Sequence, residues 1–294
     1  MTSGILLLDK PLGLTSNAAL SRAKRVLGIR KAGHTGALDP LATGLLPLCF
    51  GQATKVSAFL LDADKGYKAD IMLGVTTASG DAEGDPIATQ DVPNLKRCEI
   101  EAVLQNFRGP IDQVPPMYSA LKHHGKRLHE LARAGIEVER KARPVTIYRL
   151  DLLAVELPRL SVRVRCSKGT YIRSLAADIG EQIGCGAHLS ALRRESSGPF
   201  SLDASISLER LEHFDAKAAR ALLLPPDSAL PGLGRIELDA ESATDIGHGK
   251  VVATQKPAAE LIRMYFGGRF LGLGTIDGTG RLRSRRLFVP EVHA

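Results

Sequence analysis

The sequence contains little of what would place it in a membrane or in an oxidising compartment. No apolar run reaches the ~18 residues that a membrane-spanning helix needs. The apolar stretch Ile5–Leu8 is too short for the core of a signal peptide, and Asp9 follows it directly. The four cysteines include no C-x-x-C pair, which argues against a structural zinc site. We therefore expect a cytoplasmic protein whose thiols are reduced.

The motifs of several cofactor-dependent enzyme classes are missing as well. There is no glycine-rich phosphate-binding run ending in Lys-Ser or Lys-Thr, and Gly272-Leu273-Gly274 lacks the third spaced glycine of a dinucleotide fingerprint. His129-Glu130 begins a zinc-protease pattern, but Arg133 stands where the second histidine should be. We expect neither a metal ion nor an organic cofactor.

Positive charge is what the sequence has in excess. The formal net charge is +7 over 294 residues, a length that accommodates one large domain and one small domain. Basic residues are concentrated in three segments, at 22–31, 122–143 and 281–286. One such segment is usually a solvated surface. Three of them in one basic chain favour a polyanionic partner such as a nucleic acid.

The segment Gly33–Gly44, with the sequence GHTGALDPLATG, combines glycines and a proline with a single carboxylate, Asp39. Glycine permits backbone conformations with positive φ, and a residue that precedes proline is biased towards an extended conformation. The composition therefore predicts a rigid loop that presents the Asp39 side chain. By itself, an aspartate among glycines is more often a residue that caps a tight turn.

Hydrophobic periodicity divides most of the chain into short strands and helices. The alternation in Leu160–Cys166 predicts a strand with one buried face. Apolar residues at helical spacing predict a helix capped by Thr15 or Ser16 and ended by Gly28. The other predicted elements are strands at 4–11 and 67–74, a helical turn or two at 55–61, and helices at 100–107 and 172–183.

Two segments differ in amino-acid composition from this core. Residues 113–143 are polar and basic, contain a short helix near 126–134, and are interpreted as an excursion from the core. After Leu224-Pro225-Pro226 the chain becomes rich in glycine, with short apolar runs at 261–266 and 270–276. This pattern predicts a small β-rich domain behind a proline-containing linker.

Six separate motifs, all in the expected order, resemble those of the TruB family of pseudouridine synthases. Together they span most of residues 4–200, and the C-terminal part is more loosely similar to a PUA domain. The motifs are Gly33–Gly44, Lys65–Tyr67, Val114–Lys122, Arg143–Val145, Cys166–Leu175 and Ala191–Arg194.

The resemblance implies an α+β fold. Its catalytic domain, residues 1–228, would have a mixed, mainly antiparallel sheet and would carry an RNA-gripping insertion at about 112–143. A PUA-like RNA-binding domain would occupy residues 232–294. The family forms pseudouridine by breaking the N1–C1′ glycosidic bond of a uridine, turning the uracil and rejoining it through C5, and it uses no cofactor.

Three residues match catalytic positions of the family. Asp39 matches the nucleophilic aspartate, and Arg173 matches the arginine that pairs with it. Such a pair offsets the rise in pKa that burial in a dry pocket gives a carboxyl group. Tyr67 matches the tyrosine that stacks on the target base and is associated with removal of its C5 proton. The sequence leaves open whether the carboxylate attacks C1′, assists elimination at the sugar or adds to the base.

Further residues are predicted to bind substrate because they match the family's pattern. A base inside a folded RNA must leave its stack to be reached, and His34 matches the residue that fills the space it leaves. The other predicted substrate-binding residues are Tyr171, Leu192, Asp81, Lys10 and Lys65. Two departures weaken the match: Thr77–Asp81 replaces the usual T-D-T-x-D, and Gly66 occupies the middle of the K-x-Y motif.

The resemblance also implies a substrate, which is uridine 55 in the T arm of tRNA. The protein would act as a stand-alone enzyme, as a monomer and without an obligate protein partner. One alternative is a guide-RNA-dependent pseudouridine synthase subunit of a ribonucleoprotein complex. Another alternative is a tRNA-folding chaperone that does not require catalysis.

Overall fold

The computed structural model describes residues 2–119, 121–123 and 125–288. Ala120, inside the predicted Val114–Lys122 motif, and residues 289–294 of the predicted C-terminal domain lie outside the described residues. Short 3₁₀ helices are formed by Gly51–Val56, Leu202–Ala204 and Pro226–Ala229. The α-helices are α1 Ser16–Leu27, α2 Ser57–Leu61, α3 Arg97–Gln105, α4 Leu128–Arg133, α5 Ile172–Ile183, α6 Leu208–Glu212, α7 Ala216–Ala221 and α8 Ala240–Gly247. The strands are β1 Gly4–Lys10, β2 Ala32–His34, β3 Ala42–Phe50, β4 Lys65–Leu73, β5 Val75–Thr77, β6 Pro86–Thr89, β7 Gly109–Gln113, β8 Lys122–His123, β9 Lys126–Arg127, β10 Arg143–Glu156, β11 Arg159–Cys166, β12 Ala187–Ser197, β13 Phe200–Ser201, β14 Ile206–Ser207, β15 Gly234–Glu237, β16 Val252–Ala253, β17 Ala259–Phe266, β18 Arg269–Ile276 and β19 Arg281–Leu287.

A large mixed sheet forms the centre of the molecule. Its strand order is β14-β1-β3-β12-β4-β11-β10-β7, with β2 added beside β3 and β13 beside β12. The pairs β1/β14 and β3/β12 are parallel, and the other pairs in this sheet are antiparallel. The predicted α+β fold with a mixed, mainly antiparallel sheet is therefore confirmed.

Burial on both faces explains the continuous apolar run of β1. Leu6 and Leu8 join the main core, in which α1, α3 and α5 cover one face of the sheet. Ile5 and Leu7 point the other way and join a second core. A strand buried on both faces reads as an apolar run rather than as an alternation. In β11, by contrast, buried Val162, Val164 and Cys166 alternate with exposed arginines, as predicted, whereas Ser161 is buried rather than exposed because its hydroxyl bonds the Asp70 carboxylate.

The predicted helix ends are found where the capping residues lie. The Thr15 hydroxyl accepts a hydrogen bond from the Ala18 amide at 3.1 Å, which satisfies one of the free N–H groups of the first turn of α1. Gly28 ends α1 in the left-handed conformation, at φ 65°. Gly184 ends α5 in the same way, at φ 93°.

The basic excursion leaves the sheet after β7 and returns as β10. It contains the two-stranded ribbon β8–β9 and helix α4, where the short helix was predicted. Its first residues are attached to the start of α5, because the Ser174 hydroxyl donates to the Val114 carbonyl at 3.0 Å. Gln113 makes a second attachment, since its side chain bonds both the amide and the carbonyl of Tyr171.

The C-terminal part is a five-stranded sheet in the order β15-β17-β18-β19-β16, with α8 packed against it. This confirms that the C-terminal part is β-rich. It has a small core of its own, but Leu273, Phe270 and Phe288 pack into the second core beside Ile5 and Leu7. The division between residues 228 and 232 stays a prediction, and apolar contacts join the two sides of it. Among the described residues, the structure contains no helix with the length and apolarity needed to span a membrane.

Candidate active site

Asp39 lies in the irregular segment between β2 and β3, and local hydrogen bonds fix this loop. The Ser16 hydroxyl accepts from the Leu38 amide at 2.7 Å and donates to the Leu38 carbonyl at 3.0 Å. The Gly13 amide donates to the Pro40 carbonyl at 2.9 Å. The loop is therefore held against the start of α1, and the Asp39 side chain remains 48% exposed.

Arg173, in the first turn of α5, faces this carboxylate. Its Nη2 lies 2.9 Å from Asp39 Oδ2, and its side chain is only 7% exposed. The same guanidinium donates to the Ser79 carbonyl at 2.9 Å and to the Tyr118 carbonyl at 2.7 Å. These carbonyls fix the plane of the guanidinium, so the arginine is oriented before any substrate arrives.

Asp81 is a second carboxylate on Arg173. Its Oδ2 lies 3.6 Å from Arg173 Nε, and its side chain is buried. The other oxygen accepts from the Ser79 hydroxyl and from the Glu83 amide. One buried cation therefore sits between a buried carboxylate and a half-exposed one, and only the Asp39 carboxylate is open to a ligand.

Tyr67 lies on β4, buried at the floor of the same site. Burial raises the pKa of its hydroxyl, an effect opposed by the nearby Arg194 guanidinium. Tyr67 and Arg194 face each other in register on the neighbouring strands β4 and β12. The phenol is therefore neutral at physiological pH and lies next to a buried cation.

His34 and Leu192 come from β2 and β12, two of the strands that pair with β3. His34 is the last residue of β2, and its buried Nδ1 makes no hydrogen bond to another described residue. Burial and the Arg194 charge lower the pKa of this imidazole, which favours the neutral form. Leu192 pairs with Ala42, three positions after Asp39, and packs against the main core.

Tyr171 immediately precedes α5, two residues before Arg173. Gln113 holds its backbone, with bonds of 2.7 Å from the Tyr171 amide and 3.0 Å to the Tyr171 carbonyl. Burial raises the pKa of the Tyr171 hydroxyl, while a hydrogen bond with Ser119 acts in the opposite direction. The attachment of the excursion to α5 therefore also positions a side chain of the site.

The two predicted lysines have different surroundings. Lys10 is fully buried, donates to the Pro11 and Leu14 carbonyls at 2.8 and 2.6 Å, and is attracted by Asp39. Lys65 is also buried, but its ammonium donates to the carbonyls of Leu60, Leu61 and Ala63 at the end of α2. An ammonium has three N–H groups, so Lys65 has no further donor for a ligand. Its predicted role in substrate binding stays a prediction.

Comparisons with known proteins identify the family. The model of the TruB family pseudouridylate synthase N-terminal domain matches residues 24–172. The model of the tRNA pseudouridylate synthase B C-terminal domain matches 173–231, and that of the pseudouridine synthase II TruB C-terminal region matches 234–288.

The chain belongs to the TruB family.

Several relatives are similar over nearly the whole length. The tRNA pseudouridine synthase B of Aromatoleum aromaticum is 55% identical over 287 residues, which cover 98% of this chain and 93% of the relative. That of Pseudomonas putida (strain GB-1) is 52% identical over 98% of this chain and 96% of the relative. A solved Cbf5–Nop10–Gar1 complex contains a chain that is 28% identical, with a TM-score of 0.74 over 98% of this chain and 85% of that one. The enzyme class is therefore that of a pseudouridine synthase, which is an isomerase.

The departures from the TruB pattern have structural explanations. A Cβ atom at Gly66 would lie 2.5 Å from the Ser196 Oγ on the neighbouring strand β12, so a larger residue there would require the Ser196 hydroxyl to turn away. Thr77–Asp81 still brings a carboxylate to Arg173, because the Thr77 hydroxyl bonds the Asp81 carbonyl at 2.6 Å and closes the turn.

Two residues that hold the candidate site together were not predicted from the sequence. Gln113 and Arg194 are both buried and both hold backbone groups of site segments. Arg194 could have been found from the alternation of a strand, because it lies on the same strand face as Leu192, whereas Arg193 lies on the other face. Gln113 had no such signal, because its partner Tyr171 is 58 residues away.

The described residues contain no group of three or more His, Cys, Asp or Glu side chains placed to hold a metal ion.

Proposed function

We propose that this protein isomerises uridine 55 in the T arm of tRNA to pseudouridine, as a stand-alone enzyme. The observation that carries the proposal is the Asp39–Arg173 pair at 2.9 Å, with Arg173 buried and Asp39 half-exposed. Arg173 and its carbonyl partners occupy the space on the buried side of the Asp39 carboxylate. A substrate therefore has access to a charged oxygen whose position is already fixed.

The reaction places several demands on the site. The N1–C1′ bond breaks, the uracil turns, a C5–C1′ bond forms, and the C5 proton is lost while N1 gains one, so that atoms balance. We assign Asp39 as the nucleophile, Arg173 as the cation that keeps it charged, and Tyr67 as the residue that lies against the turning base. Tyr67 suits this role because its buried side chain projects from β4, between β11 and β12, close enough to Asp39 to sense its charge.

Access to the uridine requires the base to leave its stack. His34, Leu192 and Tyr171 are only partly buried and surround the Asp39 loop, which supports their assignment to the pocket. An uncharged His34 suits insertion into a base stack, because a neutral imidazole carries a smaller desolvation penalty than a charged one. Asp81 acts through Arg173, and Lys10 supplies positive charge beside Asp39.

Basic surfaces on both parts of the chain support an RNA partner. In the excursion, Lys126, Arg127, Arg133, Lys141 and Arg143 are exposed. A groove of about 1330 Å³ lies between the proposed catalytic part, residues 1–228, and the C-terminal sheet. Its lining includes Arg30, Lys31, Arg220 and Arg269. Such residues would neutralise phosphates along an RNA helix while the target loop reaches Asp39. We assign residues 232–294 as a PUA-like RNA-binding domain on this basis.

The alternatives are less well supported. The relatives at 55% and 52% identity are tRNA pseudouridine synthases, whereas the Cbf5 chain in a complex with Nop10 and Gar1 is only 28% identical over a similar share of this chain. We therefore propose a monomer that acts in the cytoplasm without an obligate protein partner. A chaperone that needs no chemistry would have no use for the buried Arg173 aimed at Asp39.

The test uses unmodified T-arm stem-loop RNA that carries tritium at C5 of the target uracil. Purified protein alone should release tritium, because C5 loses its hydrogen when the new glycosidic bond forms. Asp39→Asn should bind the RNA and release none, because it removes only the charge. Asp245→Asn removes a carboxylate of α8 in the C-terminal part and should behave as the wild type.

The outcomes separate the candidates. Release only after a guide RNA and partner proteins are added would favour the guide-dependent alternative. Tight binding without release by the wild type would favour the chaperone. Release that persists in Asp39→Asn would contradict the assignment of the nucleophile.

A further inference from the structure

Arg194 is a second fully buried cation near the site, with 1% of its surface exposed. Its Nε donates to the Leu45 carbonyl at 2.6 Å, and its Nη2 donates to the Gly36 carbonyl at 3.1 Å. The guanidinium also interacts with the Tyr67 hydroxyl. One side chain therefore contacts the strand that follows the catalytic loop, the loop itself and the predicted stacking tyrosine.

No carboxylate of the described residues forms an ion pair with Arg194, which distinguishes it from Arg173. A buried charge that is balanced only by carbonyl and hydroxyl dipoles is costly for the fold. An apolar side chain of similar volume would fill the same space without that cost. An arginine at position 194 is therefore explained better by the groups that its guanidinium holds in place than by its contribution to stability.

Two glycines of the loop motif lie in close contact with Arg194. Gly36 has φ 120°, a conformation that few other residues adopt, and it presents its carbonyl to Arg194. Gly44 pairs with Arg194 in the parallel register of β3 and β12, and a Cβ atom on Gly44 would lie 2.4 Å from the Arg194 carbonyl oxygen. The motif thus allows the backbone of the Asp39 loop to approach β12 closely.

We propose that Arg194 is a positioning residue of the isomerisation: its guanidinium fixes the Asp39 loop, through the Gly36 carbonyl, to the hydroxyl of Tyr67. This inference rests on the proposed function. Asp39 lies in the loop before β3 and Tyr67 lies on β4, and Arg194 joins the two segments through one rigid planar group. The distance between carboxylate and ring is then set before the RNA binds.

The charge of Arg194 supports this role. It lowers the pKa of His34 and opposes the rise that burial causes in the pKa of Tyr67. The same cation therefore favours a neutral imidazole and a well-oriented phenol in one pocket.

The test compares Arg194→Lys and Arg194→Gln with the wild type in single-turnover conversion of T-arm RNA. Lysine keeps the charge but cannot reproduce the fork, so we expect the rate constant to fall about 10-fold, and about 100-fold in the glutamine variant. RNA affinity should stay within about 3-fold, because Arg194 does not reach the surface. The control is Arg163→Lys, a half-exposed arginine of β11 paired with Glu195, which should keep the wild-type rate.

A double-mutant cycle with Tyr67→Phe separates positioning from a purely structural role. If Arg194 acts through the Tyr67 hydroxyl, the Arg194→Lys/Tyr67→Phe protein should be little slower than the slower single variant. Multiplicative losses would overturn the link to Tyr67. Wild-type rates in both Arg194 variants, or failure of both to fold, would overturn the proposal and leave Arg194 a structural residue. An inactive wild type would instead refute the proposed function.

Discussion

The guanidinium of Arg173 is shared between two carboxylates with different surroundings. Asp81 is buried and receives hydrogen bonds from Ser79 and Glu83, so it behaves as a fixed part of the framework. Asp39 is half-exposed and has only Arg173 as an ion-pair partner among the described residues. With two carboxylates on one cation, the cluster retains negative charge, and the nearby ammonium of Lys10 offsets part of it. The charge on Lys10 should therefore matter for the reaction.

The first prediction concerns the pH dependence of that charge. Burial lowers the pKa of Lys10 from 10.5 to about 8, although Asp39 acts in the opposite direction. Lys10 thus loses its proton as the pH rises through about 8, and we expect the single-turnover rate to decline there. The fold is not lost with it, because a lysine whose pKa is lowered by folding stabilises the native state increasingly between pH 8 and 10.5.

Two variants identify the group that titrates. Lys10→Arg keeps its charge throughout this range, so its rate, even if lower, should not decline near pH 8. The pKa of Lys65 is also lowered to about 8, but Asp39 is not among the charges that act on it. Lys65→Arg should therefore leave the decline in place. If the decline in rate survives in Lys10→Arg and disappears in Lys65→Arg, the group that titrates is Lys65 and the prediction is wrong.

At the scale of elements, α5 combines a functional first turn with a destabilising residue in its middle. Its first turn carries Arg173 and no acidic residue, so the helix dipole and the guanidinium both present positive potential to Asp39. Farther along, burial and the neighbouring Glu181 raise the pKa of Asp178 to about 6. A carboxyl group whose pKa is raised in the folded state destabilises the fold once it is ionised.

The second prediction is that Asp178→Asn stabilises the protein at pH 7. The folded state binds more protons than the unfolded state between pH 3.8 and about 6, so stability falls as the pH rises through this window. Removing the charge should restore about 1–2 kcal/mol after allowance for solvent screening, or a few degrees in Tm. Thermal unfolding should show this gain at pH 7 and little of it at pH 4.

Glu181→Gln is the matched control for Asp178→Asn. Glu181 is exposed on the same helix and is the smaller cause of the shift, so its gain in Tm should be smaller. A lower Tm for Asp178→Asn at pH 7 would show that the carboxylate makes a favourable contact instead.

At the scale of the whole molecule, the second core joins the two parts of the chain. Leu273 of the C-terminal sheet is buried with Ile5, Leu7 and Cys49 of the catalytic part. Lys55 adds a polar link, since its ammonium donates to the Leu287 carbonyl and lies over the Phe288 ring. The groove lined by basic residues from both parts depends on this contact for its shape.

The third prediction is that the two parts unfold together. Leu273→Ala should lower a single thermal transition, because it removes apolar contacts across the junction and costs about 2–5 kcal/mol. Leu282→Ala, in the C-terminal sheet's own core, should lower the same transition by a similar amount. Two separate calorimetric transitions, with Leu282→Ala shifting only one of them, would show independent units.

The cores and the motifs were accessible to prediction for different physical reasons. The alternation in Leu160–Cys166 and the caps at Thr15 and Gly28 follow from local rules that act over a few residues. The loop of Asp39 was found by its resemblance to a family, not by periodicity. The ribbon β8–β9 was missed, because its strands are two residues long and have no apolar pattern.

The sequence alone determined the types of the clearly patterned elements, the family and the identity of Asp39, Tyr67 and Arg173 as candidate residues, because propensity, periodicity and contiguous motifs are local properties. Only the tertiary structure decided what the buried cations contact. Arg173 meets Asp39 and Asp81, Arg194 meets Gly36 and Tyr67, and Lys65 caps α2. Most of these partners are far apart in the chain. A buried charge takes the partners that the packed sheet brings to it, and no local pattern specifies them.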